Sequence, residues 1–170
     1  MTPFEYLSTL TAVVIGLTIV HILEGFSRII SDPERHRIYW VHALWGVWLL
    51  IFSVFFWWFE FALVKIEVWN FAHFSLVLLY AATLYYMAVV LFPRDHNFDG
   101  DYKKHFYRRR GWLMAGFILS NIVDIPDTLS KGHEHTSYLG IEYILVIVYH
   151  IIIGLIGWRW ANNKLHGIII

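Results

Sequence analysis

The chain has 170 residues, 58% of them hydrophobic and 19% aromatic, and Asp, Glu, Lys and Arg together supply only 15%. An ordinary soluble domain of this length would not gather apolar residues into such long runs, so the composition excludes that class and points to a membrane. Thirteen basic and thirteen acidic residues give a formal net charge of zero, and with no cysteine there can be no disulfide, thiolate metal site or cysteine nucleophile.

The first apolar run covers residues 4–30 and is long enough to cross a bilayer at about 1.5 Å per residue. It lacks the basic n-region and small-residue cleavage site of a signal peptide, so it is expected to be retained. His21, Glu24 and Arg28 fall at i, i+3 and i+7, on one side of a helix. An ionisable side chain at membrane depth costs about 2.5–3.5 kcal/mol on insertion scales and is expected to face protein or water. A turn-rich loop, Ser31 to Arg37, leads to a second run at 38–64, in which His42, Gly46, Ser53 and Glu60 share a face. Only Lys65 to Trp69 separates it from the third run, 71–92, so these two are expected to form a tight antiparallel hairpin; the third offers Asn70, His73 and Tyr80.

The third loop, Pro93 to Arg110, is the longest and most basic. Its Asp95-His96-Asn97-Phe98-Asp99-Gly100-Asp101 resembles the opening of a calcium-binding EF-hand loop, but Phe106 stands where a bidentate glutamate is required, and turn chemistry accounts for the rest. The run from Lys103 to Arg110 is read as a contact with anionic lipid headgroups, each basic residue contributing about 1 kcal/mol, and not as a nucleic-acid site. The fourth apolar run, 111–128, is the shortest, with Gly116, Ser120, Asp124 and Asp127 aligned and Asn121 beside them; Pro126 is expected to kink or stop it. After Ser130 to His135 the fifth run, 140–160, carries Glu142, His150, Gly154 and Gly157.

The expectation is a single all-α integral membrane domain over residues 1–170, a bundle of five transmembrane helices in a bacterial cytoplasmic membrane. Lysine and arginine crowd loops one and three and the C-terminal tail, whereas the other side holds only Lys65 and Lys131, so the N-terminus is placed outside and the C-terminus inside. Tryptophans and tyrosines at the helix ends read as interfacial belts. Small residues on the helix faces read as packing surfaces, which leaves His21, Glu24, His42, Glu60, His73, Asp124, Glu142 and His150 as intramembrane polar candidates.

Three functions suit such a set. The first is movement of protons, ions or a small solute along a buried histidine and carboxylate face, by a homo-oligomer or with a membrane partner and without catalysis. The second is a structural or regulatory membrane subunit. The third is a redox module holding haem between His21 and His42, although Glu24 and Arg28 crowd that place and a backbone carbonyl is the commoner partner for such a histidine. A metal site could draw on His73, Asp124, His133 and His135, by ligand type alone. Within the first function, Asp124 is expected to point inward and pair with His73 or His150.

Overall fold

The computed structural model describes residues 2–66, 68–94, 98–160 and 166. Five α-helices run in chain order: α1 (Pro3–Ser31), α2 (Trp40–Phe59), α3 (Phe71–Leu91), α4 (Tyr102–Ser130) and α5 (His133–Arg159). A 3-10 segment, Glu60–Lys65, continues α2, and the described residues contain no β-strand beyond an isolated bridge between Arg37 and Asp101. Helix α4 lies between α3 and α5, α1 packs on α2 and α3, and α5 touches the rest mainly through α4.

Local sequence explains each start and stop. Pro3 opens α1 behind a capping box in which the Thr2 hydroxyl accepts from the Glu5 amide and the Glu5 carboxylate accepts from the Thr2 amide. Asn70 caps α3, and Pro93 follows its last residues as a stop. Asp101 caps α4, accepting from the Lys104 amide, so the basic run Lys103 to Arg110 is helical and forms the first turns of α4. That corrects the expectation of a loop. The EF-hand-like stretch does turn work where it is described: Asp99 accepts from the Asp101 amide and the Lys104 ammonium, which holds its carboxyl below the usual range. Asp95, His96 and Asn97 lie outside the described residues.

Two further corrections concern helix ends. Pro126 neither stops nor divides α4, which runs on to Ser130. The proline withdraws one N–H, that facing the Ile122 carbonyl, and the turn beyond it is held by the Ser130 hydroxyl on the Asp127 carbonyl and by Lys131 on the Asp127 carboxylate. The segment His133 to His135, expected as loop, is the helical start of α5, and the backbone breaks at Gly140 (φ 59°, ψ −157°), where the apolar part of α5 begins.

Four segments, Pro3–Ser31, Trp40–Lys65, Phe71–Leu91 and His135–Arg159, are long and apolar enough to cross a membrane. Helix α4, the fourth of the five expected spans, does not meet that test of length and hydropathy. Its polar residues explain why: Ser120, Asn121 and Asp127 are buried, whereas Trp112, Leu119, Ile122, Ile125 and Leu129 are exposed. From Leu119 onward, α4 buries most of its polar residues and exposes most of its apolar ones.

The glycine faces are packing surfaces. A Cβ on Gly25 would overlap the Phe92 ring, and one on Gly46 would lie 2.7 Å from Phe26 and 2.9 Å from Phe92. Gly116 meets Met87 and Tyr86, and Gly154 meets Ile118 and Phe117.

Candidate functional site

The polar candidates fall into two clusters at opposite ends of the bundle. At the first, the last turn of α3 leaves carbonyls that no helical N–H can reach. Three histidines from three other helices satisfy them in order: His105 Nε2 donates to Val90 at 2.8 Å, His42 Nε2 to Leu91 at 2.9 Å and His21 Nε2 to Phe92 at 2.8 Å. Arg28 donates to the next carbonyl, Pro93, at 3.4 Å. A carbonyl only accepts, so each Nε2 carries the proton, and each Nδ1 is buried without a partner. Burial holds the His105 imidazole below its ordinary range; the Val90 bond opposes this, and Arg108 and Arg109 reinforce it.

This arrangement does not fit haem between His21 and His42. Their Nε2 atoms are engaged by backbone, and the Phe92 ring, 4.8 Å from the His42 ring centroid and seated on Gly25 and Gly46, fills the space between α1 and α2. Glu24 turns outward and pairs with Arg94 at 2.6 Å, both half-exposed.

The second cluster gathers around the C-terminal end of α4. The 3-10 geometry after α2 stacks residues three apart, and Glu60 and Leu63 are accordingly both buried. Glu60 accepts from the Lys131 ammonium at 2.9 Å, and Asp127, one helical turn before Lys131, accepts from it at 2.5 Å. All three side chains are buried, at 7%, 0% and 4% exposure for Glu60, Asp127 and Lys131. Burial disfavours the charge on Lys131, but Glu60 and Asp127 outweigh it and hold the ammonium above the ordinary lysine value. The two carboxyl groups lie within hydrogen-bonding reach of each other, and each keeps one oxygen, Glu60 Oε2 and Asp127 Oδ1, with no partner.

Asp124 lies alongside and is served differently. Its carboxylate accepts from Tyr80 at 3.0 Å, from Tyr143 at 2.7 Å and from Thr128 at 3.5 Å. Among the described residues no histidine hydrogen-bonds to Asp124, which corrects the expected pairing with His73 or His150. His150 instead donates from Nδ1 to Asn121 Oδ1 at 3.1 Å, one turn away on α4. His73 stands at the start of α3, edge-on to Trp69, and Glu142 is exposed on α5. Among the described residues no three His, Asp or Glu side chains are grouped as metal ligands; the His133 side chain lies outside that description.

Two members of these clusters, His105 and Lys131, are not among the candidates that the sequence offers. His105 was hidden in a basic run, although Tyr102, His105 and Phe106 already mark a helical inward face. Lys131 enters the sequence reading only as a basic residue of the outer side, although Asp127 and Lys131 stand at i, i+4. Buried apolar residues, among them Trp45, Leu49, Leu84, Met87, Met114 and Phe117, occupy the helix registers between the two clusters. Comparison with protein-family models, with curated proteins and with solved structures yields no match.

Proposed function

We propose that this is an integral membrane protein, its five helices crossing a bacterial cytoplasmic membrane with the N-terminus outside and the C-terminus inside. In this reading it takes up and releases a proton at a carboxyl pair buried near its outer end, the exchange step of a carrier for protons, ions or a small solute. The membrane placement is supported by an inverted radial pattern. Thr11, Thr18, His21, His42, Ser53 and Asn121 are buried, whereas Leu17, Ile51, Leu79, Ile122 and Ile152 are exposed, as a hydrocarbon solvent requires. Lys131 is neutralised inside the bundle, which removes one of the two lysines from the proposed outer surface and sharpens the charge asymmetry. Lys103, Lys104, Arg108 and Arg109 are exposed at the other end, where anionic headgroups would lie.

The observation that carries the proton reading is the count at the second cluster: two buried carboxyl groups, one ammonium, and one unpartnered oxygen on each acid. Like charges sharing a dry site do not both ionise. One proton held between Glu60 and Asp127 makes the group neutral and supplies the missing donor. Asp124, with two phenols and a threonine donating to it, needs none. Infrared difference spectroscopy of the reconstituted protein tests this. Exposed carboxyls are ionised at neutral pH, so a protonated-carboxyl C=O band there, bleached at alkaline pH and absent in both Glu60→Gln and Asp127→Asn, is the expected result. A native protein without that band would overturn the reading.

A further inference from the structure

Tyr149 and His150 lie midway along the apolar part of α5, which runs from Gly140 to Arg159. At 1.5 Å per residue both are about 14 Å from either end, close to the centre of a hydrocarbon layer about 30 Å thick. Neither side chain is closed into the bundle. Tyr149 is 56% exposed, and its hydroxyl has no hydrogen-bond partner among the described residues. His150 is half-buried and donates from Nδ1 to Asn121, which leaves Nε2 as a lone-pair acceptor that no described residue bonds or encloses. The two adjacent rings, with centroids 5.9 Å apart, make no hydrogen bond to each other. Neither water nor a headgroup serves a side chain at that depth, so an unmet donor and an unmet acceptor there are costly. Helix α5 meets the bundle mainly through α4, and Val146, 48% exposed one turn before the pair, continues the same open flank.

From this placement we infer that α5 docks against a second copy of this chain, the Tyr149 hydroxyl of each copy donating to His150 Nε2 of the other. Symmetry decides the occupant. One copy carries both halves of the bond, a donor and an acceptor about 1.5 Å apart in height. A two-fold axis along the membrane normal leaves depth unchanged, and such an interface sets residue i on j and j on i. Successive residues of a helix are turned by about 100°. An axis facing the interval between the two side chains therefore puts Tyr149 of one copy on the same side of the seam as His150 of the other. Val146, three and four residues earlier, lies on that seam. One contact then closes two hydrogen bonds. An acyl chain offers neither a donor nor an acceptor, and an unrelated partner would need both at matching heights on its own surface. The inference rests on the membrane placement proposed above, since in water both groups would be met by solvent, and it is independent of the proton shared by Glu60 and Asp127.

The chain has no cysteine, so single cysteines introduced into the full chain report the interface. In lipid vesicles treated with iodine, Val146→Cys should form a disulfide between copies, whereas Val148→Cys, 49% exposed on the other flank of α5, should not. Energy transfer between copies labelled at the exposed Ser31→Cys, followed as lipid is added, gives the affinity. Loss of two interhelical hydrogen bonds translates into an affinity about tenfold lower or more. That loss is expected in Tyr149→Phe, which removes the donor, and in His150→Asn, which keeps a donor for Asn121 but has nothing at the Nε2 position. The double variant should be no weaker than either single one, because all three lose the same two bonds. Monomers throughout the dilution, a cross-link at Val148→Cys in place of Val146→Cys, or an affinity unmoved by Tyr149→Phe would overturn the inference. Extraction with alkaline carbonate separates the two claims. Protein released from the vesicles sinks the membrane placement, whereas protein retained as a monomer sinks only the interface.

Discussion

Lys131 serves two acids at once, so its removal and the removal of either acid are unequal events. Lys131→Met strands two buried carboxyl groups, and breaking a buried ion pair in this way costs about 3–5 kcal/mol. Glu60→Gln keeps an acceptor for Lys131, adds a donor toward Asp127 and should cost about 1 kcal/mol or less. Unfolding free energies in mixed micelles check the contrast, and equal losses would remove the case for a compact three-residue cluster. At the other end, His105 gives a pH dependence of definite sign. Its folded value is lowered by burial, so the unfolded chain binds the proton more tightly. The His105 contribution is therefore complete above the ordinary histidine value of about 6.5 and is lost as pH falls through and below it. Acid destabilisation should become shallower in His105→Gln, which keeps a donor for the Val90 carbonyl without titrating.

Among the elements, α5 has the backbone most open to a decisive substitution. Gly140 sits at φ 59° and ψ −157° with open space around the position of a Cβ, so conformation alone, and not crowding, requires glycine there. Gly140→Ala should cost about 1–3 kcal/mol, read as a lowered unfolding temperature with the cluster at α4 unchanged. The helices themselves were legible in the sequence, because 3.6-residue periodicity aligned His42, Gly46 and Ser53 on α2, and that face is the buried one. Helix α4 was only partly legible. Its basic first turns looked like loop, because side-chain charge says nothing of a helix whose opposite face carries Tyr102, His105 and Phe106 inward. The candidate site was legible only as separate acids, Glu60 on one run and Asp124 aligned with Asp127 on another. Which acids pair was not legible. That depends on the 3-10 turn that swings Glu60 inward and on Tyr80 and Tyr143, which claim Asp124 before any histidine does.

At the scale of the whole molecule, the two polar clusters do different work. The α3 end is a structural knot in which three imidazoles and a guanidinium close consecutive carbonyls. The α4 end has charge left over and cavities beside it. The apolar layer through Leu49, Leu84, Met87, Met114 and Phe117 lies between them, so in the proposed reading a proton reaches Glu60 and Asp127 from their own end of the bundle. Carriage across the membrane would need that layer to open. The most direct measurement is infrared titration of uniformly oriented protein in sealed vesicles, changing pH on one side at a time. The protonated-carboxyl band is expected to follow the pH of the compartment facing Lys131 and to ignore the pH facing Lys103 to Arg110. A band that follows the opposite compartment, or the absence of any band removable by Glu60→Gln, would contradict it.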